Sequence, residues 1–479
     1  MVNQTESDVT RTPAIVASIP TPASAPVARP AGRGEGDQVA EARGDGQNDS
    51  REGDPEGDRD GDHRDICGGG AREGAREGEG DGWGEGSRGT GAEHAAAPDS
   101  FSPRTARTAR TARTAWSVLT VYAVSTVVHL LVLAVMTGPD GPTVRDRLLA
   151  WDGLLYLSIA TDGYPDGLTY NPDGEPTGNN LAFFPLFPLL TRWTHQLTGL
   201  DAGTAGVIVA HLALIAALFA VHRLLIPLYG ARTATIAIAL LAGAQPMALT
   251  FLMAYSEALF LALAAASLLA AHRRHWLSAG VLGLLAGLTR PAALALVVAL
   301  AVAVVLEMRR ARRPAWPPLI GLGLATAGTP LYLLWVGNRS GQLNAWFVIQ
   351  EAGWGTRWDN GAAFVDFVRD TLLRGDGWVP VSTAVLLLAT VCATFAAWRR
   401  GAWPPLLVYG TVMLVVALGQ SNYYHSKLRL VIPALVFLLP LAHGLSRART
   451  RTVVVTLTAA TLFGSWYGAH MLTTWRYAI

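Results

Sequence analysis

The chain has 479 residues, of which 51% are hydrophobic and only 15% charged, against the quarter or so usual in soluble domains. Charge is unevenly spread: residues 1–100 carry 21 Asp and Glu against 10 Arg, yet the whole chain balances at +2, so the remainder is basic. A polar acidic stretch followed by a long apolar one excludes a single soluble globular domain and a nucleic-acid binder recognised by net charge. With two cysteines, Cys67 and Cys392, it also excludes a disulfide-stapled secreted module.

Residues 1–115 are rich in Gly, Asp, Glu and Arg, as in Arg72-Glu73-Gly74-Ala75-Arg76-Glu77-Gly78, and almost lack aromatic and branched apolar side chains. Such a segment cannot bury enough surface to offset its ordering entropy, and it is expected to be a disordered cytoplasmic tail. It lacks the basic start, short apolar core and cleavage site of a signal peptide. Residues 116–479 are expected to form the second part, a multi-span membrane domain.

Within that part, apolar runs long enough to cross a bilayer recur at roughly 116–137, 204–226, 232–253, 256–271, 276–290, 291–307, 317–337, 379–398, 403–420, 428–445 and 452–473, about eleven in all. The fold class is therefore an all-α polytopic membrane protein. With these spans every short basic cluster (residues 104–113, 223–232, 272–275, 309–313, 399–400 and 447–451) falls on one side. The positive-inside rule makes that side cytoplasmic, leaving the N-terminus inside and the C-terminus outside a cell (plasma) membrane. Acidic residues of the body concentrate on the opposite side, in two long loops at roughly 138–203 and 338–378. Loops of that length are uncommon in a compact bundle unless they do something.

Four stretches carry chemistry. Trp151-Asp152-Gly153-Leu154-Leu155-Tyr156, closing at Gly163-Tyr164, follows the first span closely. On a helix Asp152 and Tyr156 share a face, and an Asp among aromatic and apolar neighbours is desolvated in a way that suits a general base. The competing reading is a solvated Asp in an interfacial aromatic belt. In Gly287-Leu288-Thr289-Arg290-Pro291 the guanidinium interrupts an apolar stretch, which costs at least about 2.5 kcal/mol at a span's centre. Arg290 either holds a phosphate at an outer turn or snorkels to the headgroups. Ser421-Asn422-Tyr423-Tyr424-His425-Ser426-Lys427-Leu428-Arg429 places His425, Lys427 and Arg429 together against the positive-inside trend, and Lys427 is the only lysine in the chain. Ala254-Tyr255-Ser256-Glu257 offers a carboxylate that either caps a helix start or pairs with Arg290. The scattered histidines show no ligand spacing, so no metal site is expected, and no P-loop or Rossmann pattern points to a nucleotide or other cofactor.

Taken in order, Trp151-Asp152 with Tyr156 and Gly163-Tyr164, Ala182-Phe183-Phe184-Pro185-Leu186-Phe187-Pro188-Leu189, Tyr255-Ser256-Glu257-Ala258-Leu259-Phe260 and Leu288-Thr289-Arg290-Pro291 resemble the PIG-V family of membrane mannosyltransferases. The similarity spans most of residues 116–445. It implies a GT-C glycosyltransferase bundle and an inverting transfer of a hexose, mannose in that family, from a polyprenyl-phosphate donor. The acceptor would be a hydroxyl of a glycolipid, glycan or protein at the outer face of the lipid bilayer. By motif position Asp152 is the catalytic acidic residue. Arg290 and Arg429 would be candidates for the donor phosphate, with Lys427 assisting, and Trp151, Tyr156, Tyr164, Phe184, Glu257 and His425 are expected to line the substrate cavity. The last motif departs from the family: Ser426-Lys427-Leu428-Arg429-Leu430 lacks the proline before the Arg and the aromatic after it. A transporter of lipid-linked sugars and a non-catalytic partner of another transferase are the alternatives. Clear internal repeats and charges deep in the spans, which would favour the transporter, are not evident.

Overall fold

The computed structural model describes residues 103–312, 315–375, 377–475 and 477. Cys67 and the tail up to residue 102 lie outside the described residues. Helix α1 (Pro103–Thr137) begins inside the segment expected to be tail and stops at Gly138, whose φ of +72° suits glycine alone. The first long loop then folds as α2 (Val144–Leu148), α3 (Asp152–Thr161), the hairpin strands β1 (Thr169–Tyr170) and β2 (Pro176–Thr177), and α4 (Leu186–Thr198). The bundle continues with α5 (Ala202–Tyr229), α6 (Ala231–Ala239), α7 (Glu257–His272), α8 (Trp276–Gly287), α9 (Ala293–Ala311) and α10 (Trp316–Ser340). The second long loop holds α11 (Ala345–Trp354), β3 (Arg357–Trp358) and α12 (Ala362–Arg374). Then come α13 (Trp378–Arg400), α14 (Pro404–Leu418), β4 (Gln420–Ser421), α15 (Tyr424–Val431), α16 (Leu439–Ser446) and α17 (Thr450–Thr473). The two sheets are minimal: β1 with β2, and β3 with β4, both antiparallel.

Each of the eleven apolar segments carries helix, as expected of an all-α polytopic protein. Among the described residues five helices are long and apolar enough to cross a membrane unaided: Ala112–Thr137, Ala202–Tyr229, Trp316–Ser340, Trp378–Arg400 and Thr450–Thr473. A sixth span arises if α15 and α16 are taken as one, bent by 76°. The others are shorter, and α9 ends in Glu307, Arg309 and Arg310. They are short because the chain breaks inside the bundle. After α6 it passes through a π turn at Leu240–Ala244, then Pro246, then a 3-10 turn at Ala248–Leu252 before α7 begins. Residues 247–262 are buried throughout, so this irregular backbone faces protein rather than lipid, where it is tolerated. Leu435, with φ of +42°, makes the bend between α15 and α16. Gly410 lets α14 approach it, since a side chain there would run into Val436.

The basic turns meet at one end. Arg274 pairs with Glu307 at 3.3 Å, Arg232 donates to the Ala448 carbonyl at 2.7 Å, and His272 packs edge-on against Trp403. The two long loops occupy the other end, joined to the bundle by Arg339, which donates to the Pro165 carbonyl and pairs with Asp166. There the Thr143 hydroxyl and amide hold the Asp146 carboxyl below its ordinary range, completing the cap of α2.

Helix α8 lies against α10 along small residues: Gly280 faces Gly321, Gly283 faces Ala325 and Gly287 faces Gly328. A Cβ on Gly328 would meet the Leu284 carbonyl and come within 3.0 Å of the Gly287 Cα, whereas one on Gly323 of the same helix meets nothing within 4 Å. Gly328→Leu is therefore expected to lower the thermal midpoint of the detergent-solubilised protein, at a cost of about 1–3 kcal/mol. Gly323→Leu should leave it in place. Equal midpoints would show that the helices do not meet as described.

Candidate functional site

The site begins at a strained turn. Trp151 has φ of +57° and ψ of −120°, a region that non-glycine residues rarely occupy, and it delivers Asp152 as the first residue of α3. Two bonds hold the turn to the start of α7: the Ala254 amide donates to the Leu148 carbonyl at 3.0 Å, and the Tyr255 hydroxyl to the Ala150 carbonyl at 3.2 Å.

Four charged side chains meet there. Arg429 Nη1 lies 2.7 Å from Asp152 Oδ2, and its Nε is 3.5 Å from Glu257 Oε1. Arg290 Nη1 is 2.6 Å from the same Glu257 oxygen and 3.3 Å from Ser256 Oγ, which in turn bonds the Tyr156 hydroxyl at 2.7 Å. The Arg429 guanidinium stands 5.2 Å from the centre of the Tyr255 ring, a cation–π distance. Exposure differs decisively along the cluster: 1% for Glu257, 10% for Arg429, 15% for Arg290 and 16% for Asp152. Two guanidiniums are thus balanced by two carboxylates, one sealed and one accessible. Asp152, expected to be partly desolvated, lies in an ion pair with Arg429.

The accessible members open into a cavity of about 640 Å³. Its polar pole holds Asp152, Tyr156, Arg290 and Arg429. An apolar half is lined by Leu294 and Val297 of α9, Pro330 and Leu333 of α10, and Met413 and Val416 of α14. A rim comes from the second long loop and the strand after α14: Gln350, Trp354, Arg357, Trp358, Gln420 and Asn422. The wall between pole and rim is segment 182–184, where the chain leaves a 3-10 turn at Asn180–Ala182 before α4, and its carbonyls have no helical partners. Side chains supply them: Tyr164 and Tyr332 donate to the Phe183 carbonyl at 2.8 and 2.7 Å, and Trp346 and Gln350 to that of Ala182 at 3.2 Å each.

Of the residues expected at the site, Asp152, Arg290, Arg429, Tyr156 and Phe184 line this cavity. Glu257 does not; it sits behind the two guanidiniums and pairs with Arg290, one of the two roles its motif left open. Lys427, expected beside the donor phosphate, turns away from the cavity. It is 1% exposed and its Nζ turns inward, donating to the carbonyls of Ala417 (3.1 Å) and Gln420 (2.7 Å) and to Asn422 Oδ1 (2.7 Å). It knits the end of α14 to the following loop. His425 also lies off the cavity, buried between the rings of Tyr423 and Tyr477. Trp151 contributes backbone geometry rather than a wall. Tyr164 acts from behind, through Phe183, and burial pushes its hydroxyl up from the ordinary tyrosine range. Pro185 is the N-cap of α4 and Pro188 lies in its first turn, where no amide donor is missed.

Sequence reasoning missed Ser256, Trp346, Gln350 and Trp358. Ser256 stood inside a motif already singled out. The others lay in the second long loop, where the signal was an aromatic and amide content unusual for a solvated connector. Among the described residues no three His, Cys, Asp or Glu side chains gather closely enough to hold a metal ion.

No protein-family model and no curated protein matches the chain. Among solved structures it is similar to ArnT from Cupriavidus metallidurans bound to undecaprenyl phosphate, at 16% identity and a TM-score of 0.45, covering 74% of this chain and 76% of that one. The apo state of ArnT gives 18%, 0.46, and 76% of both chains. The archaeal oligosaccharyltransferase AglB from Archaeoglobus fulgidus, in complex with an inhibitory peptide and a dolichol-phosphate, gives 13% and 0.41, covering 75% of this chain and 56% of that one. The functional reading rests on the cavity and the motifs, because likeness at this level carries no chemistry.

Removing the sealed carboxylate leaves Arg290 with only Ser256 and Arg429 with only Asp152. Glu257→Gln is expected to destabilise the protein by about 3 kcal/mol, the lower end for breaking a buried pair. The check is its denaturation midpoint in detergent. A midpoint matching that of the unchanged protein would show that Glu257 does not hold the cluster together.

Proposed function

We propose that the chain is a membrane-embedded glycosyltransferase moving a hexose from a polyprenyl-phosphate carrier to an acceptor hydroxyl at the outer face of the membrane, with inversion at the anomeric carbon. The observation that carries this reading is the two-ended cavity: a carboxylate and two guanidiniums at one pole, an apolar half between α9, α10 and α14. A lipid phosphate needs both, cations for its head and a greasy channel for its tail. Leu294 and Phe347, both more than half exposed, line that apolar part and suit a passage for an isoprenoid chain entering from the bilayer.

In this reaction the acceptor oxygen forms a bond to the anomeric carbon as the bond from that carbon to the phosphate oxygen breaks. The acceptor's proton goes to Asp152. The electron pair leaves with the polyprenyl phosphate, whose added charge meets Arg429 and Arg290. The rim, with Trp358, Gln350 and Asn422, offers a ring face and amides of the kind an acceptor glycan uses. The motif resemblance supports mannose as the sugar. A transporter has less use for a carboxylate at the pole of the cavity, and nothing in the geometry favours a silent partner.

The test supplies purified protein with radiolabelled polyprenyl-phosphate mannose, and the glucose analogue in parallel, over a membrane glycolipid and glycoprotein extract. Asp152→Asn is expected to reduce label transfer by at least about a hundredfold, the lower bound for losing a general base, at unchanged expression. Transfer within about tenfold of the unchanged protein would remove Asp152 from the chemistry.

A further inference from the structure

We propose that Asp152 and the phosphate of the lipid carrier compete for the guanidinium of Arg429, so that arrival of the carrier frees the base and return of the base expels the product. The inference rests on the glycosyltransferase reading above and adds an order of events to it.

Three observations carry it. First, one oxygen of Asp152 is already engaged in this arrangement, its Oδ2 lying 2.7 Å from Arg429 Nη1. Second, the two carboxylates that hold Arg429 are unequal. Glu257 is sealed and does not line the cavity, whereas Asp152 does line it. A ligand in the cavity can therefore displace Asp152 alone. Glu257 at the Nε edge and the Tyr255 ring against the face keep the guanidinium in place meanwhile. Glu257 is thus a positioning residue. Third, the cluster is neutral as it stands. An anionic phosphate entering it meets a carboxylate of like charge, which is costly in a poorly hydrated site. Asp152 gives up Arg429 to the phosphate and turns to the acceptor hydroxyl.

The same exchange runs backwards after transfer. Asp152 then carries the acceptor's proton and is neutral, so it does not contest Arg429, and the polyprenyl phosphate stays bound. Loss of that proton to water restores the carboxylate, which reclaims the guanidinium and releases the lipid. Proton loss and product release are one step.

The probe is undecaprenyl phosphate, with undecaprenol as the uncharged control, titrated into full-length protein in lipid nanodiscs. Asp152→Asn, which mimics the protonated acid, should bind the phosphate about tenfold more tightly than the unchanged protein, or about 1.4 kcal/mol. Undecaprenol should bind both alike. Inorganic phosphate should displace the labelled lipid phosphate more readily from Asp152→Asn, the same exchange read with a free anion. Arg429→Gln should lose the preference for phosphate over alcohol; if it does not fold, Arg429→Lys, which keeps the charge without the fork, should blunt it. Equal or weaker phosphate binding by Asp152→Asn, with the Arg429 variants still impaired, overturns the exchange and leaves the phosphate site standing. No preference for phosphate over undecaprenol in the unchanged protein overturns the site itself, and the exchange with it.

Discussion

A guanidinium inside an apolar bundle is tolerable only where its charge is answered, and this fold answers two of them with one sealed carboxylate. Glu257 pairs with Arg290 and faces Arg429, and neither arginine comes from the uninterrupted middle of a long helix. Arg290 lies in the turn between α8 and α9; Arg429 lies in short α15, just before the bend at Leu435. Glu257 is the first residue of α7, after a run of π and 3-10 turns. The helix breaks and the charge cluster are therefore two views of one constraint. Ending several helices at the same depth is what lets their terminal side chains meet.

A second constraint follows from the first. Breaking helices and running segment 182–184 past the cluster leaves backbone carbonyls without ladder partners, and low-polarity surroundings make such orphans expensive. Around residues 181–183 the cost is offset by tyrosine, tryptophan and glutamine donors from the first long loop, α10 and α11. Those side chains also form the back of the cavity wall. Lys427 performs the same service at the end of α14. Several polar residues that look functional in the sequence thus satisfy backbone, and the chemistry falls to the few that face the open space.

The cavity that results is chemically divided, and the division suits a substrate with a charged head, a long apolar tail and a reacting carbon between them. The strained turn at Trp151 places Asp152 where it touches both the arginine pole and the open volume. In the proposed exchange, a base that begins in an ion pair would link the binding of the head group to the readiness of the site.

Much of this was legible in the chain alone. Apolar runs and basic turns depend on local composition, so the segments and the two long loops could be read directly. Asp152 and Arg290 were legible too, because a charged residue beside aromatic and apolar neighbours is conspicuous wherever it lies. Several of the apolar runs are short helices sheltered by neighbours, and shelter is not written in hydropathy. Only the tertiary structure decided the partners. Asp152 and Arg429 are 277 residues apart, and no local pattern tells that Arg429 reaches the cavity while Lys427, two positions earlier, turns to backbone carbonyls. Composition sets what a segment can bury; which atoms then face each other is settled by how the broken helices end against one another.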